Sequence, residues 1–560
     1  MLQRSSLVLH LLLLTSLCGV LYFPYLGNTP FFDKGEPREA LAVQDIVQRG
    51  EWLFPLKRAS AIPSKPPLFH WSAALTYQVT GSLNEATIRF PSAFYATLGV
   101  LMLYLLGRKL YGGEVGLLAA AMLATTLIYI NQALSARVDM TLCFFVTLSL
   151  IVFYALYKRF LLHPIWYFVL YGIVGIGAMA KGPLGILLPG LVIATFLAAK
   201  KRWDLFVKFA FHPGVVVAVL LAAGWYGLAI TRGGEGFVDR QLLQENLERF
   251  FGGSGHSHPF YYYLPYLFSL GLPWSIFLPF VLWDFLRPKI KSDDDTLFPM
   301  VWFLGMFIFF SASMGKRAVY LLPIFPAISL LVAVWLRQAH TAVGARLRLF
   351  RAIAVFAGAT GLILLLIVLG DLWSHDHGWF FTPIEGFLKP KDRANFEVVK
   401  NELANFGWRF DLAGSLAGFL WLVVAFCLWT NRLRQSAQGL VLISILMAFV
   451  GRGLIIPEIA ESKSYRDFVE EINRRVKPAE KIYLYGSFNS DPVIFYRGGI
   501  VDELKQPAQI GLGNSYIIMD ERSWKNIQNV KPDLPAPLLT SRGSGPEGNA
   551  PLVLVRAYVS

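Results

Sequence analysis

The chain has 560 residues, of which 55% are hydrophobic, 15% aromatic and only 16% charged, and its mean hydropathy is +0.50. That is too apolar for a water-soluble globular protein and predicts a polytopic membrane protein. The net charge of +14 does not signal nucleic acid, because the basic residues sit in short clusters between apolar stretches, where the positive-inside rule distributes them.

Apolar stretches of about 20 residues, enough to cross a ~30 Å hydrocarbon core, occur near 5–27, 86–107, 113–130, 138–157, 163–180, 183–199, 211–230, 261–286, 297–313, 318–336, 350–372, 411–430 and 437–456. They predict about thirteen helices. The first follows Arg4 and closes on Tyr22-Phe23-Pro24-Tyr25 with no small-residue cleavage site, so it reads as a retained helix. Cys18, Cys143 and Cys427 lie far apart inside apolar stretches and suggest neither a disulfide framework nor a thiolate metal site. Lys/Arg clusters fall on every second loop, at Arg4, Arg108-Lys109, Lys158-Arg159, Lys200 to Arg202, Arg287 to Lys291, Arg337 to Arg351 and Arg432 to Arg434. Placing them all in the cytoplasm puts the N-terminus inside and everything after the last stretch outside.

The remaining loops are then external, and they hold the unexpected charges. The first, residues 28–85, opens with Phe31-Phe32-Asp33-Lys34-Gly35-Glu36-Pro37-Arg38-Glu39-Ala40 and continues to Ser64-Lys65-Pro66-Pro67-Leu68-Phe69-His70-Trp71. It offers two amphipathic, membrane-surface helix candidates, Glu36 to Arg49 and Pro66 to Val79. Two tight turns follow, Ser135-Ala136-Arg137-Val138-Asp139 and Met179-Ala180-Lys181-Gly182-Pro183. The fourth loop carries Glu245, Gly252-Gly253-Ser254-Gly255, His256-Ser257-His258 and Tyr261-Tyr262-Tyr263, and the fifth carries Ser313-Met314-Gly315-Lys316-Arg317 with Tyr320. Past about residue 460 the composition becomes that of a soluble domain, with short β-like runs at 481–485, 492–496, 515–519 and 551–555.

Ionisable groups near hydrocarbon are costly enough to need partners or a purpose. Carboxylates that can take a proton and cations that can hold a phosphate leaving group together fit transfer of a group from a lipid phosphate. Lys65, Arg38, Lys181, Lys316 and Arg317 are the phosphate candidates. Headgroup anchoring is the ordinary alternative for a boundary Lys or Arg. The histidines match no tight metal-ligand spacing, the tyrosine run is first of all an interfacial belt, and the glycine run reads as a flexible lid. Asp293-Asp294-Asp295, beside Arg287 and Lys291, reads as solvated charge on the cytoplasmic side.

These motifs resemble the membrane glycosyltransferases of the GT-C class, in the bacterial branch of aminoarabinose transferase and relatives of the protein O-mannosyltransferases. That family's first external loop has a pattern close to Asp-Glu-x-Arg-Tyr-Ala-Glu, then Gly-Asp-Trp, then Glu-Lys-Pro-Pro. Here stand Gly35-Glu36-Pro37-Arg38-Glu39-Ala40, Gly50-Glu51-Trp52 and Ser64-Lys65-Pro66-Pro67, followed by Ala180-Lys181-Gly182, His258-Pro259-Phe260-Tyr261, Pro273-Trp274 and Gly315-Lys316-Arg317. The resemblance covers about residues 1 to 340. It implies an α-helical polytopic GT-C-like fold with periplasmic amphipathic helices in residues 1–460, and the change of composition predicts a small C-terminal α/β domain in residues 461–560. The resemblance also implies a bacterial inner-membrane enzyme that takes a sugar from a polyprenyl-phosphate donor, with inversion, to a periplasmic lipid A, glycan or protein acceptor.

On this resemblance the catalytic candidates are Glu36, Asp33 and Asp139. Lys65 contacts the donor phosphate, with Arg38, Lys181, Lys316 and Arg317 as further binders, and His258, Tyr261, Tyr320 and Glu245 line the substrate cavity. Gly35 stands where the family has its first acid, leaving Asp33 or Glu36 as the key carboxylate. Ser64 stands where aminoarabinose transferase has a glutamate associated with a bound metal, so no cofactor is predicted, and a divalent metal is left open. The competing class is a transporter or lipid flippase, which predicts midplane charges and repeated halves.

Overall fold

The computed structural model describes residues 2–56, 65–239, 258–285, 293–339, 345–374, 393, 396–397, 400, 407–477, 480–499, 501–506, 510–532, 534–545 and 551–559. The N-terminal part runs through α1 (Leu2–Tyr22), α2 (Glu36–Arg49), α3 (Leu68–Thr80), α4 (Glu85–Tyr111), α5 (Gly113–Thr125), α6 (Leu127–Ala133), α7 (Val138–Tyr157), α8 (Ile165–Lys181) and α9 (Leu184–Ala199). Every predicted apolar stretch becomes helical, since backbone polar groups in hydrocarbon must satisfy one another. Not all are straight spans. Among the described residues nine helices are long and apolar enough to cross a membrane, and eleven if each of two bent pairs counts as one. The two remaining stretches are the shorter helices α8 and α9.

The bent pairs explain the difference from thirteen straight helices. Between α5 and α6 the axis turns by 64°, and between Phe260–Leu270 and Trp274–Phe285 by 115°. Pro273, which has no N–H, lies in the second break. The breaks satisfy each other: Leu127 N–H donates to the Leu272 carbonyl at 3.0 Å, and the Trp274 indole donates to Thr125 Oγ1 at 2.9 Å. Irregular backbone at this depth is tolerated only where protein supplies such partners.

At the end of the bundle that carries the basic clusters, the aspartate triplet is not solvated charge. Asp295 accepts from the Tyr154 hydroxyl at 2.6 Å and pairs with Lys158 at 2.9 Å. Asp294 accepts from Tyr157 at 2.8 Å and pairs with Lys200, while Asp293 caps the helix Asp294–Ala312. The triplet therefore clasps α7 and the end of α9 to that helix.

The C-terminal part is a five-stranded sheet of order β2-β1-β3-β5-β4, with β1 (Ile482–Tyr485), β2 (Asp502–Glu503), β3 (Ile510–Asp520), β4 (Leu539–Thr540) and β5 (Leu552–Val559). β1 pairs parallel with β2 and β3, and β5 pairs antiparallel with β3 and β4. The run at 492–496, expected as a strand, is instead in the helix Asp491–Arg497. Pro492 sits in its first turn, where a missing N–H costs nothing, and Gly498 at φ 78° ends it. A short apolar run carries too little periodicity to separate the two outcomes.

This sheet region packs directly on the first loop. Phe31, fully buried, meets Phe495 edge to face at 5.1 Å, and its N–H donates to the Tyr496 hydroxyl at 2.8 Å. Tyr496 in turn donates to Glu85 at 2.7 Å. Leu41 and Ile46 of α2, Phe69 of α3, and Phe468, Ile472 and Phe495 form one apolar cluster with Phe31. Removing a buried aromatic ring costs about 3–5 kcal/mol. Phe31→Ala should therefore loosen the C-terminal region from the loop, read as faster limited proteolysis after Arg475 in detergent. An unchanged digestion pattern would contradict this docking.

Candidate active site

The first loop is held by one buried ion pair. The Arg89 guanidinium on α4 donates from Nε and Nη2 to the two oxygens of Glu36, both at 2.8 Å, with the side chains 1% and 4% exposed. Its Nη1 donates to the carbonyls of Leu26 and Thr29 at 2.9 and 2.7 Å, and it lies 5.2 Å from the centre of the Phe31 ring. Glu36 also accepts from the Ala136 N–H at 2.8 Å. Expected as a catalytic carboxylate, Glu36 is placed instead where both oxygens are committed to structure.

Asp33 takes a related part. Its Oδ1 accepts from the N–H groups of Gly35 and Glu36 at 2.7 and 2.8 Å, starting α2, and its Oδ2 accepts from Arg137 at 2.9 Å. Burial alone would raise this carboxyl. Arg137 and the two backbone donors outweigh it and hold Asp33 below the usual carboxylate range. The Arg137 guanidinium occupies the space a Cβ at Gly35 would take, so a side chain there would push Arg137 away from Asp33. Arg137 thus crosses over Gly35 to reach Asp33.

Beyond Arg137 opens a cavity of about 360 Å³ lined by Arg38, Glu39, Lys65, Arg137, Val138, Asp139, Lys181, Arg317, Val319 and Tyr320. Lys181 pairs with Asp139 and lies 4.5 Å from the centre of the Tyr320 ring. A second space of about 230 Å³ shares Asp139, Lys181, Val319 and Tyr320 and continues along Leu142, Leu184, Phe310 and Pro323. A cationic mouth thus leads into an apolar pocket. Glu39 sits in the polar wall, accepting from Arg38 at 3.2 Å and bonded to His70 Nε2 at 2.8 Å.

Of the predicted site residues, Asp139, Lys65, Arg38, Lys181, Arg317 and Tyr320 come together in this cavity. Lys316 does not: its ammonium donates to the carbonyls of His258, at 3.0 Å, and Ser313, and burial lowers its pKa. It ties the entry to the tyrosine run to the turn before Arg317. His258 stacks on Tyr262 at 4.3 Å, and Tyr261 is 60% exposed; neither lines the cavity. Glu245, with the glycine run and His256, lies outside the described residues. Arg137 and Glu39 were not singled out. Arg137 stands two positions before Asp139, at the residue preceding α7, and its reach back over a glycine leaves no mark in the sequence. Among the described residues no three His, Cys, Asp or Glu side chains converge as metal ligands.

The family described as dolichyl-phosphate-mannose-protein mannosyltransferase matches residues 64–226. An uncharacterized protein of Aquifex aeolicus is 29% identical over 57% of this chain and 62% of its own length. An undecaprenyl phosphate-alpha-4-amino-4-deoxy-L-arabinose arabinosyl transferase of Pectobacterium atrosepticum is 26% identical over 83% of this chain and 80% of its own length. In fold, the chain matches ArnT from Cupriavidus metallidurans bound to undecaprenyl phosphate with a TM-score of 0.75 at 20% identity, covering 98% of both chains. The chain is a multi-pass membrane glycosyltransferase of the GT-C class. Relatives of the aminoarabinose transferase type share its sequence pattern and its fold. The transporter or flippase reading draws no support from these relatives.

Removing one partner of a buried ion pair costs about 3–5 kcal/mol, because the other charge is left uncompensated. Arg89→Met should therefore lower the melting temperature in detergent sharply, and Arg89→Met combined with Glu36→Met should recover part of the loss. Equal melting of Arg89→Met and wild type would show that the pair does not hold the loop.

Proposed function

We propose that the cavity binds the phosphate of a polyprenyl-phosphate sugar and that the sugar passes to an acceptor on the outer face of the bacterial inner membrane. The observation that carries this is the joined pair of spaces. Five cations, Arg38, Lys65, Arg137, Lys181 and Arg317, line a mouth that also holds two carboxylates, Glu39 and Asp139. Leu142, Leu184, Phe310 and Pro323 continue it as an apolar pocket. A lipid phosphate has this division into an anionic head and an apolar tail. As the bond from C1 of the sugar to the phosphate oxygen breaks, negative charge grows on that oxygen, and fixed cations stabilise it most at that moment. Direct displacement by the acceptor inverts the anomeric carbon.

The roles divide by position. Lys65 and Arg317, both in the mouth, bind the phosphate, and Arg137, steadied by Asp33, adds a forked donor suited to two phosphate oxygens. Asp139 holds Lys181 over Tyr320, keeping its charge at the junction of head and tail. Residues 1–460 form the membrane domain and 461–560 a soluble domain. Lipid A, a glycan or a protein are the acceptor classes.

Hydrogen bonds to charged groups contribute about 1.5–3 kcal/mol. Lys65→Ala should accordingly weaken binding of undecaprenyl phosphate to the purified protein about 10- to 100-fold, with unchanged melting of the unliganded protein, and remove transfer. Full retained affinity would remove the phosphate assignment.

The same reading places the N-terminus in the cytoplasm and the C-terminal domain in the periplasm. The native cysteines are buried, and Lys525 is 61% exposed. A Lys525→Cys variant should react with a membrane-impermeant maleimide in intact spheroplasts. Labelling only after lysis would put the domain, and the cavity beneath it, on the wrong side.

A further inference from the structure

We propose that Glu39 is the proton acceptor of the transfer step, that His70 is its positioning residue, and that the acceptor substrate is therefore a neutral hydroxyl. This rests on the donor site proposed above. The four acids near the site are each paired: Glu36 with Arg89, Asp33 with Arg137 and the start of α2, Asp139 with Lys181, and Glu39 with Arg38. Glu39 differs in its partners: it lines the cavity, and a buried histidine as well as an arginine meets its carboxylate. Arg38, on the same helix, donates to Oε1 from Nε and Nη2 at a long 3.2 Å. His70, from α3, faces Oε2 through Nε2 at 2.8 Å.

The imidazole environment sets its part. His70 is 1% exposed, and its Nδ1 has no hydrogen-bond partner among the described residues. A doubly protonated ring would bury an unsatisfied N–H, whereas the neutral tautomer with hydrogen on Nε2 donates to Glu39 and leaves only a bare lone pair. His70 then fixes the carboxylate without supplying a second charge. Around the cavity the other charged groups are Arg38, Lys65, Arg137, Lys181, Arg317 and Asp139. The cations outnumber the acids, which favours Glu39 in its ionised form while the donor is bound.

The step balances with these groups alone. The acceptor oxygen attacks C1, its proton moves to Glu39, the new C–O bond forms, and the old C1–O electron pair leaves with the polyprenyl phosphate. A phosphate acceptor would arrive already anionic. It would need no base, and a carboxylate in the wall would repel it.

The test uses membranes of a deletion strain that express the wild-type or variant chain. Transfer is read as the envelope product whose mass disappears with the gene, and undecaprenyl phosphate binding is measured on the purified proteins. Glu39→Gln should lose about 10²-fold or more in rate while keeping its undecaprenyl phosphate affinity. His70→Gln, which can still donate, should retain more activity than His70→Phe. The product should be an O-glycoside that survives the mild acid that cleaves glycosyl phosphates. A rate for Glu39→Gln within threefold of wild type, or a glycosyl phosphate product, would overturn the proposal. Absence of undecaprenyl phosphate binding in the wild type would instead overturn the donor reading beneath it.

Discussion

The site depends on a charge that is almost completely withdrawn from water. Arg89 sits on a membrane helix with 1% of its side chain exposed, and a lone guanidinium there would be prohibitively costly. Glu36 neutralises it, and two backbone carbonyls take its remaining reach. That requirement fixes the start of α2 against α4 and brings the Ala136 turn to the same carboxylate. Arg38 and Glu39 follow on the next residues of α2, so their direction into the cavity is inherited from this buried pair.

A second balance operates inside the cavity. Lysines at a membrane boundary ordinarily drift to headgroups, but Lys181 is restrained by Asp139 on one side and the Tyr320 ring on the other. Arg137 is restrained in the same way by Asp33. Each restrained cation has lost its rotamer freedom before any anion arrives, which reduces the cost of ordering it on binding. Acidic residues around the mouth thus serve largely to keep basic ones in place.

Much of this was legible in the sequence, because hydrophobic length and Lys/Arg placement are strong, local signals. The helical stretches, the two loop helices and six cavity residues follow from them or from the family motifs. The failures have a common physical cause. Glu36 and Lys316 carry charges at positions where a site residue belongs, but whether a charge faces a cavity or is spent on a partner is decided by residues far away in sequence: Arg89 for Glu36, the His258 carbonyl for Lys316. The bends at Thr126 and Pro273 were hidden because apolar composition continues through them, and only the meeting of the two breaks makes either one tolerable. The aspartate triplet looked solvated because its tyrosine and lysine partners stand 94 to 141 residues earlier.

The contact between Phe31 and Tyr496 spans 465 positions of chain. Synthesis proceeds from the N-terminus, so the first loop is complete long before the segment that covers it exists. Through most of translation, Phe31 and the outer faces of α2 and α3 stand without their eventual neighbours. The cavity wall therefore acquires its final support among the last events of biogenesis.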